Sequence, residues 1–304
     1  MPHPIRSPLA DDPRARFVDL GGPVHHQVHP GPADAPPLVL VHGLGGSHLN
    51  WSLVASELAE HGTVWTLDLP GFGGTEPAGR ATTVQANAAL LARFVREVVG
   101  EPVVLVGNSM GGMISILATA AAPDLVRGLV LVDPSVPPAG IYGIDPAVTT
   151  AFVAGAMPGF GARALAVRRR RLGSRGMTVA SLRLCGVEPE AVPAELLDRS
   201  AALVDARVDP EGMDRGFITA ARSLVLVNAR PARYWAAMAS IRVPVLLMHG
   251  SADRLVPVGS ARRVARRNPT WRYVELPGVG HVPQLHVPER FVEIVGSWRA
   301  EHVG

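Results

Sequence analysis

Residues 103–112, Val-Val-Leu-Val-Gly-Asn-Ser-Met-Gly-Gly, constrain this chain more than any other stretch. Four apolar, mostly β-branched residues read as a buried strand. Gly107-Asn108-Ser109-Met110-Gly111 follows as a sharp turn, and residues 113–120 read as an apolar helix. A turn this tight between strand and helix forces Ser109 into a strained backbone conformation, with its hydroxyl projecting above a sheet. Gly107 and Gly111 lack the side chains that would keep strand and helix apart. The rival reading is a glycine-rich turn with an idle serine. The strand before it and the helix after it favour a nucleophile.

Further apolar runs at residues 38–41, 64–67, 129–132 and 245–248 are those of strands buried on both faces. Residues 17–20 and 24–28 read as two short strands joined by Gly21-Gly22-Pro23, and residues 272–276 as the last of eight. Helical stretches near residues 51–60, 83–99, 110–121, 259–267 and 288–301 alternate with them. That alternation predicts an α/β fold, an eight-stranded and mostly parallel sheet flanked by helices. The pattern breaks between residues 134 and 239, where helical stretches such as 194–204 replace it. A mainly helical insertion over the sheet is predicted there, with residues 1–133 and 240–304 forming the core. An independent second domain fits less well, because the core pattern resumes at Val245 and needs the later elements. The first dozen residues read as a loose arm.

A serine hydroxyl is a poor nucleophile at neutral pH, so it needs a base, and the base an orienting acid. Asp253 lies in a loop after the run 245–248, and His281 lies in Gly280-His281-Val282-Pro283 after the last strand. Ser109, Asp253 and His281 thus follow the chain order expected of an elbow nucleophile, each at a strand C-terminus. Asp133 also ends a strand and is the lesser candidate for the acid, the stronger reading being that it begins the insertion. Of eleven histidines only His281 has the position of a base. His42 and His249 read as structural, His286 as the approach to the last helix, and His3, His25, His26, His29 and His302 as peripheral. No metal-ligand spacing occurs, so neither a metal nor another cofactor is expected. An oxyanion needs two donors. Met110 N–H at the helix start and Leu44 N–H in the glycine-rich loop His42-Gly43-Leu44-Gly45-Gly46 are the candidates.

Taken with Asp68-Leu69-Pro70-Gly71-Phe72-Gly73, these motifs resemble the α/β-hydrolase fold family over essentially the whole core. The resemblance implies that the insertion is a cap or lid whose helices line a substrate pocket. It also implies a serine hydrolase that cleaves a carboxylic ester of a small or medium apolar substrate through an acyl-enzyme, with Ser109, His281 and Asp253 as the triad. A serine nucleophile argues against the epoxide hydrolase and haloalkane dehalogenase branches, which use aspartate there. Hydrolases that cleave carbon–carbon bonds in ring-fission dienones share the Gly-Asn-Ser-Met-Gly-Gly form. They usually carry tryptophan after the catalytic histidine, where this chain has Val282. A low-turnover ligand sensor that retains the triad is the third reading.

Composition narrows the partners. All 29 basic residues are arginine, and against 26 acidic residues they leave a formal charge of +3, too little to argue for nucleic-acid binding. Arg168 to Arg171 read as a solvated helix face, with attraction of an anionic substrate as the alternative. Cys185, the single cysteine, reads as a buried small hydrophobe. The first dozen residues carry no apolar segment of a signal peptide, and no apolar run approaches the ~20 residues that span a bilayer. A cytoplasmic protein acting on a small-molecule ester is expected, with a homodimer left open. Phe152, Met157, Phe160, Met177, Met213 and Phe217 are candidates for the pocket wall, or equally for packing of the insertion on the core.

Overall fold

Period-two alternation along the central strands builds two cores at once. In β3 (Leu38–Val41), Val39 and Val41 enter one apolar cluster, and Leu38 and Leu40 enter the other. The same division holds in β5 (Val103–Asn108), β6 (Val126–Val132) and β7 (Val245–Gly250), so each strand is apolar on both faces. The computed structural model describes residues 12–139 and 160–303. Its remaining strands are β1 (Ala15–Asp19), β2 (Pro23–His29), β4 (Val64–Leu67) and β8 (Arg272–Leu276). They form one sheet in the order β1-β2-β4-β3-β5-β6-β7-β8. β1 and β2 are antiparallel, and every pair from β4 to β8 is parallel. The loops that follow β3 to β8 therefore open on one edge, with β5 near the middle.

Helices α1 (Val84–Phe94) and α2 (Met110–Ala121) cover one face, supplying Leu91, Phe94, Met113 and Ile116 to the first cluster. α1 starts at Thr83, whose side chain accepts from the Ala86 N–H and satisfies an orphan donor. Between β6 and β7 lie α3 (Phe160–Leu184), α4 (Ala194–Asp205), α5 (Pro210–Ala229) and α6 (Pro231–Ser240). α3 is broken at Gly173, where φ is 63°. Leu182, Leu196, Leu197 and Leu203 of this segment form a third apolar cluster with Leu49, Val282 and Leu285 from the loops of the sheet edge. α7 (Val258–Arg267) and α8 (Pro288–His302) complete the flanks, and α8 brings Phe291, Val295 and Trp298 to the second cluster. No helix among the described residues is long and apolar enough to cross a membrane.

Two expectations need correction. The helix predicted over residues 51–60 is instead a 3₁₀ turn (His48–Trp51), one α turn (Ala55–Leu58) and a second 3₁₀ turn (Ala59–His61). Ser47 and Asn50 form a capping box that starts the winding earlier, and Gly62 ends it at φ 144°. Second, His25, His26 and His29 are buried rather than peripheral, because β2 is an inner strand between β1 and β4. His26 stacks on Trp65 and meets the edge of Phe94.

Burial pushes the imidazoles of both His26 and His29 from 6.5 down to about 4. Their unfolded counterparts take up protons as pH falls below 6.5, while the folded forms resist until about 4. Stability is therefore lost across that window. Thermal melts at stepped pH should show the midpoint falling between those values, and His26→Phe should flatten part of the fall. An unchanged slope in the variant would show that His26 does not contribute to it.

Candidate active site

The turn after β5 is tied on every side. Ser109 takes φ 53° and ψ −115°, a conformation that costs a non-glycine residue about 1–3 kcal/mol. Its N–H donates to the Val132 carbonyl at 2.9 Å, and its own carbonyl accepts from Ser135 N–H at 2.9 Å. A Cβ on Gly107 would stand 2.5 Å from the Gly111 carbonyl oxygen, and one on Gly111 would stand 2.1 Å from that of Val41. Both glycines are thus required by closeness of backbone. Ser109 caps the start of α2, whose first N–H groups have no partner within the helix. Met110 carries one of those groups, while its side chain is buried in the core.

His281 lies in the loop after β8, and its Nδ1 is 2.6 Å from Asp253 Oδ2. Asp253 lies after β7, and its Oδ1 accepts from the N–H groups of Leu255 at 2.7 Å and Val256 at 3.0 Å. Burial alone would raise this carboxyl, but the neighbouring His281, then His249 and the Val256 N–H, hold it below the ordinary carboxylate value. The His281 main chain is anchored twice. Its N–H donates to the Cys185 carbonyl at 2.8 Å, and its carbonyl accepts from Asn108 Nδ2 at 3.0 Å. Asn108 Nδ2 also reaches the Val132 carbonyl at 3.1 Å. The residue beside the serine therefore pins the histidine loop to the sheet. Nothing in the sequence beyond adjacency to Ser109 marks it.

Asp133 does more than begin the segment after β6. It is fully buried at φ 44°, and its Oδ1 accepts from Gly250 N–H at 2.8 Å. Its carboxyl, that of Asp253 and a His281 ring nitrogen lie within 4.8 Å of one another. Burial and the Asp253 charge together push Asp133 well above the usual carboxylate range, while Asp253 is held below it. His249 donates from Nε2 to the Val256 carbonyl at 2.8 Å and lies beside both acids. Burial lowers its pKa, so it stands there as a neutral ring. His42 is structural, bonded through Nδ1 to the Gly43 carbonyl and through Nε2 to Leu69 N–H.

Asp68 forms a second buried cluster under the glycine-rich loop. His25 Nδ1 and His48 Nδ1 each lie 2.9 Å from its Oδ2, and it accepts from His48 N–H at 2.6 Å and Gly74 N–H at 2.7 Å. Burial would raise this carboxyl, and the two imidazoles hold it well below its ordinary value. This trio and Asp133, Asp253 and His281 are the two groups among the described residues close enough to share a metal. The Asp68 oxygens are already taken by backbone and imidazole donors, and Asp253 is taken by its loop and His281. Asp133 Oδ2 and the Nε2 atoms of His25 and His48 have no hydrogen-bond partner.

One cavity of about 980 Å³ joins these parts to the helical segment. Ser109, Asn108, His281, Gly43 and Leu44 line one end, and Leu182, Leu196, Leu203, Met177, Met213 and Phe217 line much of the rest. The Ser109 hydroxyl and the His281 ring face this space without a direct hydrogen bond, a contact that commonly tightens only with substrate bound. Phe152 and Met157 lie outside the described residues, as does the side chain of Phe160. Cys185 is part-buried on the cavity wall rather than enclosed in a core, and burial raises its thiol to about 12. Arg170 and Arg171 are exposed as expected, whereas Arg169 turns inward to Asp214 and Arg168 also reaches the cavity.

A model of the alpha/beta hydrolase family matches residues 38–294, from β3 into α8. The chain belongs to that family. This hydrolase is 26% identical over 276 residues to the pimeloyl-[acyl-carrier protein] methyl ester esterase of Yersinia pseudotuberculosis, covering 87% of this chain and 93% of that one. It is 35% identical over 124 residues to the dihydrolipoyllysine-residue acetyltransferase component of the acetoin cleaving system of Cupriavidus necator. That match covers 41% of this chain and 30% of the other. Cfl2 of Burkholderia cenocepacia shares the fold with a TM-score of 0.78 at 22% identity, covering 94% of this chain and 97% of that one.

Asn108→Ala removes both anchors of its amide and leaves the His281 carbonyl without its partner, while the Val132 carbonyl keeps the Ser109 N–H. A loss of about 1–3 kcal/mol in denaturant unfolding is expected. A variant as stable as the parent would show that the histidine loop holds itself.

Proposed function

We propose that this hydrolase is a serine esterase acting through an acyl-enzyme, with the helical segment between β6 and β7 as its cap. The observation that carries the reading is the buried 2.6 Å contact between His281 Nδ1 and Asp253 Oδ2, set beside a strained serine on one cavity. With Nδ1 bonded to a carboxylate, Nε2 is the nitrogen left to act as base. His281 takes the Ser109 proton as Oγ attacks the ester carbonyl. The tetrahedral oxyanion is met by the N–H groups of Met110 and Leu44, and the imidazolium is stabilised by Asp253. His281 then protonates the departing alcohol, activates water on the acyl-enzyme, and returns the proton to Ser109 as the acid leaves. Asp133 keeps its own proton and gives Asp253 a neutral neighbour, so the negative charge stays on the carboxyl that faces the histidine.

Similarity along almost the full chain to an esterase supports the ester reading over carbon–carbon cleavage. So does Val282 after the histidine. Initial rates on 4-nitrophenyl esters from acetyl to dodecanoyl test it. Steady turnover should fall about 10³-fold or more in Ser109→Ala. Equal rates in both proteins would sink the esterase and leave the ligand sensor.

The two acids separate in the same assay. Asp253→Asn should lower turnover by about 10⁴-fold, through the wrong imidazole tautomer. Asp133→Asn replaces a neutral carboxyl with a neutral amide of the same shape, so turnover should stay within a few-fold of the parent. A collapse in Asp133→Asn with Asp253→Asn spared would assign the acid to β6 instead of β7.

A further inference from the structure

At the sheet edge of the cavity stand Ser109 and His281. The helical segment brings four charged side chains to the same cavity, Arg168 and Arg169 from α3, Arg207 from just beyond α4, and Asp214 from α5. Arg169 is committed to Asp214, with Nη1 at 2.9 and 2.8 Å from its two carboxylate oxygens. Arg207 has no such commitment. No carboxylate among the described residues lies within ion-pair distance of it, and its buried Nε makes no hydrogen bond. With Asp214 paired to Arg169, the charge of the half-buried Arg207 remains in excess on the cavity wall, as does that of the exposed Arg168.

An unpaired guanidinium held partly out of water is costly in an apolar setting, and a chain gains by placing it there only if an anion comes to it. The planar fork suits a carboxylate. Much of the remaining lining is apolar, with Leu182, Leu203, Met213 and Phe217 among it. Solvated arginines elsewhere on this chain lack that setting. Arg170 and Arg171, the next two residues after Arg169 on α3, are simply exposed.

We infer that the preferred substrate is an ester that carries a carboxylate at the far end of an apolar chain, with Arg207 as the residue that holds it. The ester part of this statement rests on the serine esterase reading, whereas the anion site stands on the cavity itself. Arg207 is a specificity residue in this account. It touches the remote end of the substrate and takes no part in bond breaking.

The test uses monoethyl esters of linear dicarboxylic acids from adipate to sebacate, beside the uncharged diethyl esters. Binding is measured by calorimetry to the Ser109→Ala protein, which cannot turn them over. The half ester of the best length should bind about tenfold or more tightly than its diester. Adding Arg207→Gln should erase that preference and leave diester binding unchanged, and Arg207→Lys should keep part of it. Arg207→Met, of similar length, is the second variant, and its melting point should not fall, since no ion pair at contact distance and no Nε hydrogen bond is lost. Equal affinity for half ester and diester, or a preference that survives Arg207→Gln and Arg207→Met, would overturn the site. Ethanol release by the parent protein separates the two claims. Arg207-dependent binding without ethanol release would keep the anion site and remove the esterase, whereas release without charge preference would do the reverse.

Discussion

A Cβ on Gly111 would stand 2.1 Å from the Val41 carbonyl oxygen, and that closeness between α2 and the end of β3 governs the rest of the molecule. It fixes how near the start of α2 comes to the sheet edge. With the helix so close, the chain has no room for a relaxed turn after β5, and Ser109 is driven to φ 53°. The strain is held by bonds on both sides of the residue, to Val132 and from Ser135. The same closeness brings the unpaired N–H groups at the start of α2 beside the loop that follows β3. The proposed nucleophile and the donors proposed for its oxyanion therefore arise from one packing constraint. They cannot be adjusted separately.

The second organising element is the unequal pair of acids. Asp133 follows β6 and Asp253 follows the neighbouring β7, whose loop turns back through the Asp253 N–H to the Gly250 carbonyl and brings the two acids together. Two buried carboxylates at that range do not both ionise. Asp253 has the N–H groups of Leu255 and Val256 and the ring of His281, whereas Asp133 has the single N–H of Gly250. The charge settles where the donors are. His249, neutral and bonded to the Val256 carbonyl, adds bulk without adding a competing cation. The arrangement gives His281 an ionised partner and shields that partner from water.

The sheet is legible in the sequence because its strands are continuous apolar runs, and the positions of Ser109, Asp253 and His281 at strand ends are legible because each follows such a run. Three features were less legible, for different reasons. β2 has a polar sequence, so His25, His26 and His29 read as surface residues until β1 covers the outer edge of the sheet. Asp133 reads as a segment boundary because its neighbours in space, Gly250 and Asp253, are more than a hundred positions away along the chain. Within Arg168 to Arg171, neighbouring identical residues point in different directions around α3, and only the position of Asp214 reveals that Arg169 faces inward. Periodicity resolves apolar faces well. It does not resolve which charge on a helix meets a partner from another helix.

The helical segment and the sheet edge share more than a cavity. Cys185, immediately after α3, accepts the His281 N–H, and Gly280 packs so tightly there that a Cβ would lie 2.3 Å from the Cys185 carbonyl oxygen. Leu182, one turn earlier on α3, lines the cavity and belongs to the apolar cluster that includes Val282. The wall that would contact the substrate chain is thus continuous with the backbone that seats the histidine. A displacement of α3 by a badly fitting substrate would be carried into the His281 loop through one hydrogen bond and one close backbone contact. Asn108 opposes that displacement from the sheet side, since its amide holds both the His281 and the Val132 carbonyls. Substrate fit and histidine placement are therefore coupled mechanically on the proposed reading. The stiff side of the coupling is the strand that carries the serine, and the side open to variation is the helical segment.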